Sequence, residues 1–532
     1  MDKIRNMKKI FIYTSLLIVW ALFGVSCDNY LDEMPDNRAE VDSKEKVAKL
    51  LVSAYPGASP ILLGEYSSDN VDDNGEIWNY ALLDQQVYEW KDVTETSYDS
   101  PSYVWQKHYQ AISSANMALN VIENVLGDTP DLAALKAEAL ISRAYSHFVL
   151  VNIFCHAYNE STSNSDLGIP YMLKPEKEVR PQYERGTVAD VYERINADIE
   201  AAMPYLEDSG YSSPKYHFNR QAAYAFAARF NLYYNKPDLV IKYADLVLTS
   251  NPKRVLRNWV EIGASSNVLV VGYAYINSDS PANLLNLSSP SYWGRKGSTT
   301  EFNMGVVNGQ RYSHNNLINN RETIYGPGPW GTGQGNFHFG AWSYQNRPKR
   351  FLIKISEFFE ITDQVSQTGF AHIIHPMFTT DETLLCRAEA YTLKGEYEKA
   401  SADIQTFFDN IAKVPGNFSV DNINTYYGNM AYSVPEAATP KKALNPVTYN
   451  IAAGTQENMI HCILHMRRIL TLNEGLRWYD IKRHGIEISR RETTSTGAVF
   501  SKTTDKLTIN DPRRAIQLPA DVIDAGLAPN PR

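Results

Sequence analysis

The stretch DETLLCRAEAYTLKGEYEKASADIQTFFDNI, Asp381 to Ile411, decides the fold class. Apolar or small residues recur at helical spacing in two runs. The first holds Leu384, Leu385, Ala388, Tyr391 and Thr392, and the second Tyr397, Ala400, Ile404, Phe407 and Phe408. Gly395 separates them, where a helix end needs a residue that tolerates positive φ. Ala388 and Ala400 let two helix axes approach closely, and Tyr391 and Tyr397 fill the groove between them. This is the arrangement of a tetratricopeptide repeat, which cannot bury its apolar face alone, so its partners lie elsewhere in the chain.

Working outward, the same period returns. Ser43 to Tyr55 reads as a helix capped by Ser43, with Lys46 where a capping box would have Glu. Tyr103 to Val125 and Asp131 to Phe154 form a second pair, Thr187 to Leu206 and Asn219 to Tyr234 a third. Thr187 is the expected N-cap, Pro204 ends or kinks that helix, and Pro237 to Thr249 starts on proline. Met459 to His484 is a last helix or helix pair. The expected fold is mainly α: tetratricopeptide-like helical pairs over about 40–260, 378–411 and 457–490 in a single domain spanning 27–532. Loop-rich insertions fill about 261–377 and 412–456. Within the first, Val268 to Tyr275 reads as a short strand; the rest is rich in Gly, Asn, Ser, Pro and aromatics, and such insertions are usually functional. A polar tail runs to Arg532.

The N-terminus stands apart from the fold. Lys3, Arg5, Lys8 and Lys9 precede a largely apolar run from Ile10 to Val25, and Gly24-Val25-Ser26-Cys27 closes it. The run is short of the roughly 20 residues that span a bilayer. A cysteine directly after a small residue is what a bacterial lipoprotein signal needs, so 1–26 is read as the signal and Cys27 as the lipidated residue. Removing 1–26, which carries four basic side chains and one acidic, takes the formal charge from −9 to −12. That charge excludes a nucleic-acid surface. Cys155, Cys386 and Cys462 sit in apolar helical segments without disulfide spacing, and are expected to be buried thiols.

Several stretches, in order, resemble the SusD/RagB family of surface lipoproteins: CDNYLDEMPD, VWQKHYQAISSANMALNVIEN, LKAEALISRAYSHFVLVNIF, LGIPY, TLLCRAEAYTLKGEYEKA, HMRRILTLNEGLRWYDIKRHG and RRAIQLPADVIDAGLAPNPR. Glu474, Gly475, Arg477, Trp478, Asp480 and Arg483 match the family's pattern, while Met466 stands where the family usually has Glu before Arg467. The resemblance implies a lipid-anchored protein on the outer leaflet of the outer membrane of a Bacteroidetes-like cell, without catalysis. It also implies a role as lid on a SusC-like TonB-dependent transporter, capturing an oligosaccharide or, in a RagB-like variant, a peptide. A surface glycosidase is the third reading.

The chemistry-bearing residues sort by context. Asp69, Asp72 and Asp73 offer a carboxylate pair, but a glycosidase needs two at fixed separation, and acidic loop residues more often bond sugar hydroxyls. His461 and His465 stand four apart without the Glu of a metalloprotease helix or a third ligand, and no calcium-loop motif occurs; no cofactor is expected, with a structural calcium ion, as in some related loops, the open alternative. Gly326-Pro327-Gly328-Pro329-Trp330-Gly331 matches GxGxxG in letters only: two prolines remove phosphate-binding donors, leaving a loop that presents Trp330. Trp105, Trp259 and Trp478 lie in helical stripes and are expected in the core. The loop aromatics are the candidate glycan-stacking residues: Trp78, Tyr80, Tyr292, Trp293, Tyr325, Trp330 and Trp342, with Asp72 as a hydroxyl partner. A sugar's axial C–H bonds pack on aromatic faces while neighbouring polar groups take its hydroxyls.

Overall fold

Several helices begin where the sequence supplies a cap. In the computed structural model, which describes residues 41–176, 182–297, 309–343 and 347–532, the Ser43 side chain accepts from the Lys46 amide and opens α1 (Lys44–Leu51). Ser100 caps α2 (Pro101–Asn124), and α3 (Ala133–Phe154) lies against it. Thr187 and Asp190 form a capping box before α4 (Val188–Ala202), and Pro204 turns its end into one 3-10 turn. Asn219 caps α5 (Arg220–Tyr233), and α6 (Pro237–Leu248) starts on its proline. The lipoprotein signal, Cys27 and the tether after it lie outside the described residues. Ser43–Arg532 forms one compact unit, distinct from Met1–Asp42.

Val268 to Tyr275 is not a strand. It forms α7 (Val268–Ile276), because the Asn267 side chain accepts from the Leu269 and Val270 amides and nucleates a turn. Val271, Gly272, Tyr275 and Ile276 are buried while Val270 and Tyr273 face out, which is a helical stripe. A β-branched run alone does not choose between the two.

The opening stretch becomes α8 (Thr380–Leu393) and α9 (Tyr397–Ile411), with Gly395 at φ +77° between them. Nearly all of α8 is buried, its charged residues included, as it packs on α5, α6, α9 and α11 (Thr455–Leu470). Each buried charge meets a partner. Arg229 of α5 donates to both Glu382 oxygens at 3.0 and 2.9 Å, and Arg387 to both Asp403 oxygens at 2.8 and 2.7 Å. Arg483 of α12 (Arg477–Arg483) reaches Glu389 at 2.7 Å. Met466 is buried, and its neighbour Arg467 pairs with Asp480 at 3.2 Å and Glu382 at 3.6 Å, so the helix keeps its ion pairs without a glutamate there. The thiols of Cys155, Cys386 and Cys462 are free and buried.

The insertions are more ordered than their composition suggests. Segment 261–377 contributes β2 (Asn283–Ser289), β4 (Glu357–Asp363) and β5 (Thr368–Thr379), an antiparallel sheet in the order β2-β5-β4. β2, NLLNLSS, is buried on nearly every residue, so it lacks the apolar–polar alternation that marks a half-exposed strand. A helix, Val420–Asn429 (α10 in chain order), occupies part of 412–456. The polar tail holds a hairpin, β6 (Ile488–Thr493) with β7 (Phe500–Leu507). It completes a second sheet, β3-β1-β6-β7, with β1 (Asp72–Asp73) and β3 (Tyr312–Ser313). Upstream of β1, the short helix Ile61–Ser67 sits so close to Gly475 that a Cβ on Gly64 would lie 2.0 Å from the Gly475 carbonyl oxygen. That contact fixes the path of the chain into Asp69–Tyr80, one wall of the site below.

Candidate functional site

Two of the candidate aromatics, 212 positions apart in sequence, meet at one cleft. Tyr80, half exposed beyond β1, and Tyr292, beyond β2, line a cleft of 380 Å³ together with Glu95, Ser97, Arg295 and Lys296. Tyr292 is held by its backbone. The buried Asp99 carboxylate accepts the Tyr292 amide at 2.7 Å and the Ser291 hydroxyl at 2.7 Å, and the Ser291 oxygen in turn accepts the Trp293 amide at 2.9 Å. Tyr98, next to Asp99, packs its ring 5.3 Å from that of Tyr292. Asp99 therefore ties the two walls together. Burial pushes its carboxyl up to about 6, against the pull of the Ser291 and Tyr292 donors and of Lys296.

Tyr80 meets Tyr312 edge to face at 5.5 Å, and the Arg311 guanidinium lies 5.2 Å from its ring. Arg311 is itself fixed by Asp73, with 3.0 Å bonds to each carboxylate oxygen. Trp78 is partly exposed; its indole N–H donates to the Ser495 carbonyl at 2.8 Å, and Arg347 lies 5.1 Å from its ring. Arg295 holds both Glu357 oxygens at 3.0 Å, and Lys296 both Asp84 oxygens at 2.6 Å. Aromatic faces and ordered polar donors at one cleft suit a ligand that is apolar on one side and hydroxylated on the other.

The other candidates are placed elsewhere. Tyr325 and Trp342 form a separate pair: the Tyr325 hydroxyl accepts the Ala341 amide at 3.0 Å, and Trp342 bridges to Phe351. Three expectations are corrected by burial. Trp330 is not presented by its loop but is 6 % exposed, stacked on Phe408 at 5.5 Å with Phe337, Phe418 and His465 around it. Gly328 and Gly331 exchange backbone hydrogen bonds, and a Cβ on Gly328 would come within 2.2 Å of the indole, so the glycines let the ring fold inward. Trp293 is buried against Tyr66 and donates to the Asn473 carbonyl at 3.1 Å, which leaves its neighbour Tyr292 as the outward ring. Asp72 is buried with both oxygens on Arg491 at 2.9 and 3.0 Å, so it has no lone pair turned to a ligand.

Asp69 and Asp73 are likewise held by arginines. Burial works to raise the Asp69 carboxyl, but Arg468 and Arg477 together hold it well below the usual range. Each of the three carboxylates is bonded to a guanidinium, Asp69 to Arg477, Asp72 to Arg491 and Asp73 to Arg311. His461 and His465 are buried, with burial lowering both, and His465 lies against the Tyr427 hydroxyl. Among the described residues no cluster of three His, Cys, Asp or Glu side chains is set to hold a metal ion, and no helix is long and apolar enough to cross a membrane. Trp105, Trp259 and Trp478 are in the core, as their stripes require. Arg295, Lys296, Arg311 and Arg347 were not singled out by sequence. The available signal was the cations directly following the aromatic pair in Tyr292-Trp293-Gly294-Arg295-Lys296.

A family model described as SusD-like, starch-binding and associating with the outer membrane matches residues 29–232. A SusD superfamily protein from Bacteroides thetaiotaomicron shares the fold at a TM-score of 0.58 and 18% identity, over 91% of this chain and 98% of that one. The fold is that of the SusD-like proteins. A SusD-like carbohydrate binding protein from Bacteroides vulgatus aligns at a TM-score of 0.60 and 13% identity over 90% and 96% of the two chains. A laminarin binding SusD-like protein aligns at 0.53 and 14% over 92% and 99%. No curated protein matches. At these identities the shared property is the fold, and the functional reading rests on this chain's own cleft.

Proposed function

We propose that this protein is a non-catalytic glycan-binding lipoprotein and that the 380 Å³ cleft holds the sugar. One observation carries the reading: Tyr80 and Tyr292 arrive from distant segments at a single cleft edged by ordered polar side chains. The matching starch-binding family and one laminarin-binding structural relative support the same ligand class. The arginine-held aspartates support binding without hydrolysis. Two larger clefts, of 740 and 910 Å³, lie on the helical side and contain none of the candidate residues.

In this reading Cys27 carries the lipid, the chain sits on the outer face of the outer membrane, and it passes its oligosaccharide to a SusC-like TonB-dependent transporter. The test is calorimetry of the full mature chain against a glycan panel and a peptide panel, with Tyr80→Ala and Tyr292→Ala beside wild type. Binding of a glycan that both substitutions weaken is expected. Binding of peptides alone would overturn the carbohydrate reading, and release of shorter products from a labelled glycan would overturn the non-catalytic one. Globomycin-sensitive processing and loss of membrane association on Cys27→Ser test the anchor.

A further inference from the structure

The charges around the cleft are layered. Arg295 is 39% exposed while its partner Glu357 is 13%. Lys296 is 12% exposed and Asp84 is fully buried, and Arg311 is 16% exposed against 7% for Asp73. In every pair the carboxylate is behind and the cation in front. Three of the candidate rings, two of them in the cleft lining, also have a guanidinium beside them: Arg347 at 5.1 Å from Trp78, Arg311 at 5.2 Å from Tyr80 and Arg295 at 5.9 Å from Tyr292. Arg347 forms no ion pair among the described residues, and Arg295 has Nη1 left over after Glu357 takes Nε and Nη2. Against these stand Glu95, half-buried in the cleft wall, and the exposed Glu76 nearby.

A chain with a formal charge of −9 thus sets Arg295 and Lys296 in the lining of the cleft beside Tyr80 and Tyr292, with Arg347 beside Trp78. The arrangement has a physical logic. A carboxylate behind each cation fixes its geometry without facing the ligand, and a preorganised guanidinium binds a planar or tetrahedral anion through parallel N–H donors. A neutral sugar needs hydroxyl partners that both donate and accept, whereas guanidinium and ammonium groups only donate. Resting on the glycan reading above, we propose that the oligosaccharide taken by this cleft is anionic, with carboxylate or sulfate groups that meet Arg295 and Arg347 while the sugar rings stack on Tyr80 and Tyr292.

Calorimetry on the full mature chain tests this with three probes of matched length: oligogalacturonides carrying carboxylates, chondroitin sulfate oligosaccharides carrying sulfates, and neutral laminari-oligosaccharides. One acidic series is expected to bind about tenfold or more tighter than the neutral one in low salt, the scale of a charge-assisted contact. That advantage should shrink as NaCl rises from about 0.02 to 0.5 M, as screening requires. The acidic series that binds identifies the anion. Arg347→Gln, at a half-exposed position, should weaken the acidic ligand about five- to tenfold and any neutral ligand by less. The salt dependence of wild type keeps the test valid should the variant fold poorly. Neutral oligosaccharide bound as tightly as acidic, or acidic binding indifferent to salt, overturns the charge inference alone, provided that Tyr292→Ala still removes binding. Absence of binding to all three overturns the glycan reading with it.

Discussion

Arg468, Arg477 and Arg491 make the same kind of bond as Arg295 and Arg311, and do so for a different purpose. Under α11 and α12, Arg477 holds Asp69 at 2.8 and 3.0 Å, and Arg491 holds Asp72 at 2.9 and 3.0 Å. Glu322 receives Arg468 at 2.9 Å, Arg491 at 2.7 Å and Lys442 at 2.6 Å. In these contacts the carboxylates are buried and the arginines barely reach the surface, while Lys442 is 15% exposed, and the belt joins five distant segments. At the cleft the acids are buried and the cations reach out. Arg295, 39% exposed against 2–5% for the belt arginines, is what sets the cleft apart from the scaffold.

The largest effect is expected where the belt is cut. Burial alone would raise the Glu322 carboxyl, but Arg491, Lys442 and Arg468 pull it far below the ordinary range. Glu322→Ala takes a partner from three cations, of which Arg491 keeps Asp72 and Arg468 keeps Asn70, and denaturant unfolding should show a loss of about 3 kcal/mol. A loss under about 1 kcal/mol would mean water already screens the belt. Trp330→Ala comes next. It opens a cavity among Phe337, Phe408 and Phe418 and should cost about 3 kcal/mol. The protein that still folds should bind glycan as wild type does, and a selective loss of affinity would return Trp330 to the site.

Trp330 and Tyr292 also show what sequence can carry. Both sit in segments without periodicity, and composition treats them alike. Their fates are set by partners more than 70 and 190 residues away: Phe408 and Phe418 cover the one, Asp99 positions the other. The helical pairs were legible because their partners are three or four residues apart and their caps are local, as at Ser43, Thr187 and Asn219. The sheet β2-β5-β4 was not, since β2 is buried on both sides and carries no alternation. The cleft was legible in part. Residue types pointed to Tyr80 and Tyr292, but their meeting, and the cations beside them, depend on that sheet and on Gly64 resting against Gly475.

Tyr292→Ala is the counterpart of Trp330→Ala. The ring is half-buried and its main-chain anchor on Asp99 does not depend on the side chain. Glycan affinity should fall about tenfold, near 1.4 kcal/mol. Stability should change by less than about 1 kcal/mol, as for other surface positions. Equal losses in both quantities for the two variants would erase the distinction between covered and presented aromatics.

The smallest effect tests the anchor itself. The Asp99 carboxyl, raised to about 6, faces the Ser291 hydroxyl, the Tyr292 amide, Lys296 and Asp84. Its folded value lies above the unfolded one of about 3.9, so its contribution to stability is full below about 4 and is lost as pH rises through 6. Affinity should run the other way, because only the ionised group offers two free acceptors to hold the Tyr292 segment. Between pH 7.5 and 5 the affinity should fall about two- to threefold, ~0.5 kcal/mol, the scale of one hydrogen bond. Asp99→Asn should flatten both profiles: the decline of stability between about pH 4 and 6 should be shallower than in wild type by up to about 1.4 kcal/mol per pH unit. An unchanged affinity profile in Asp99→Asn would assign the titration to another group and leave Tyr292 positioned by packing against Tyr98 alone.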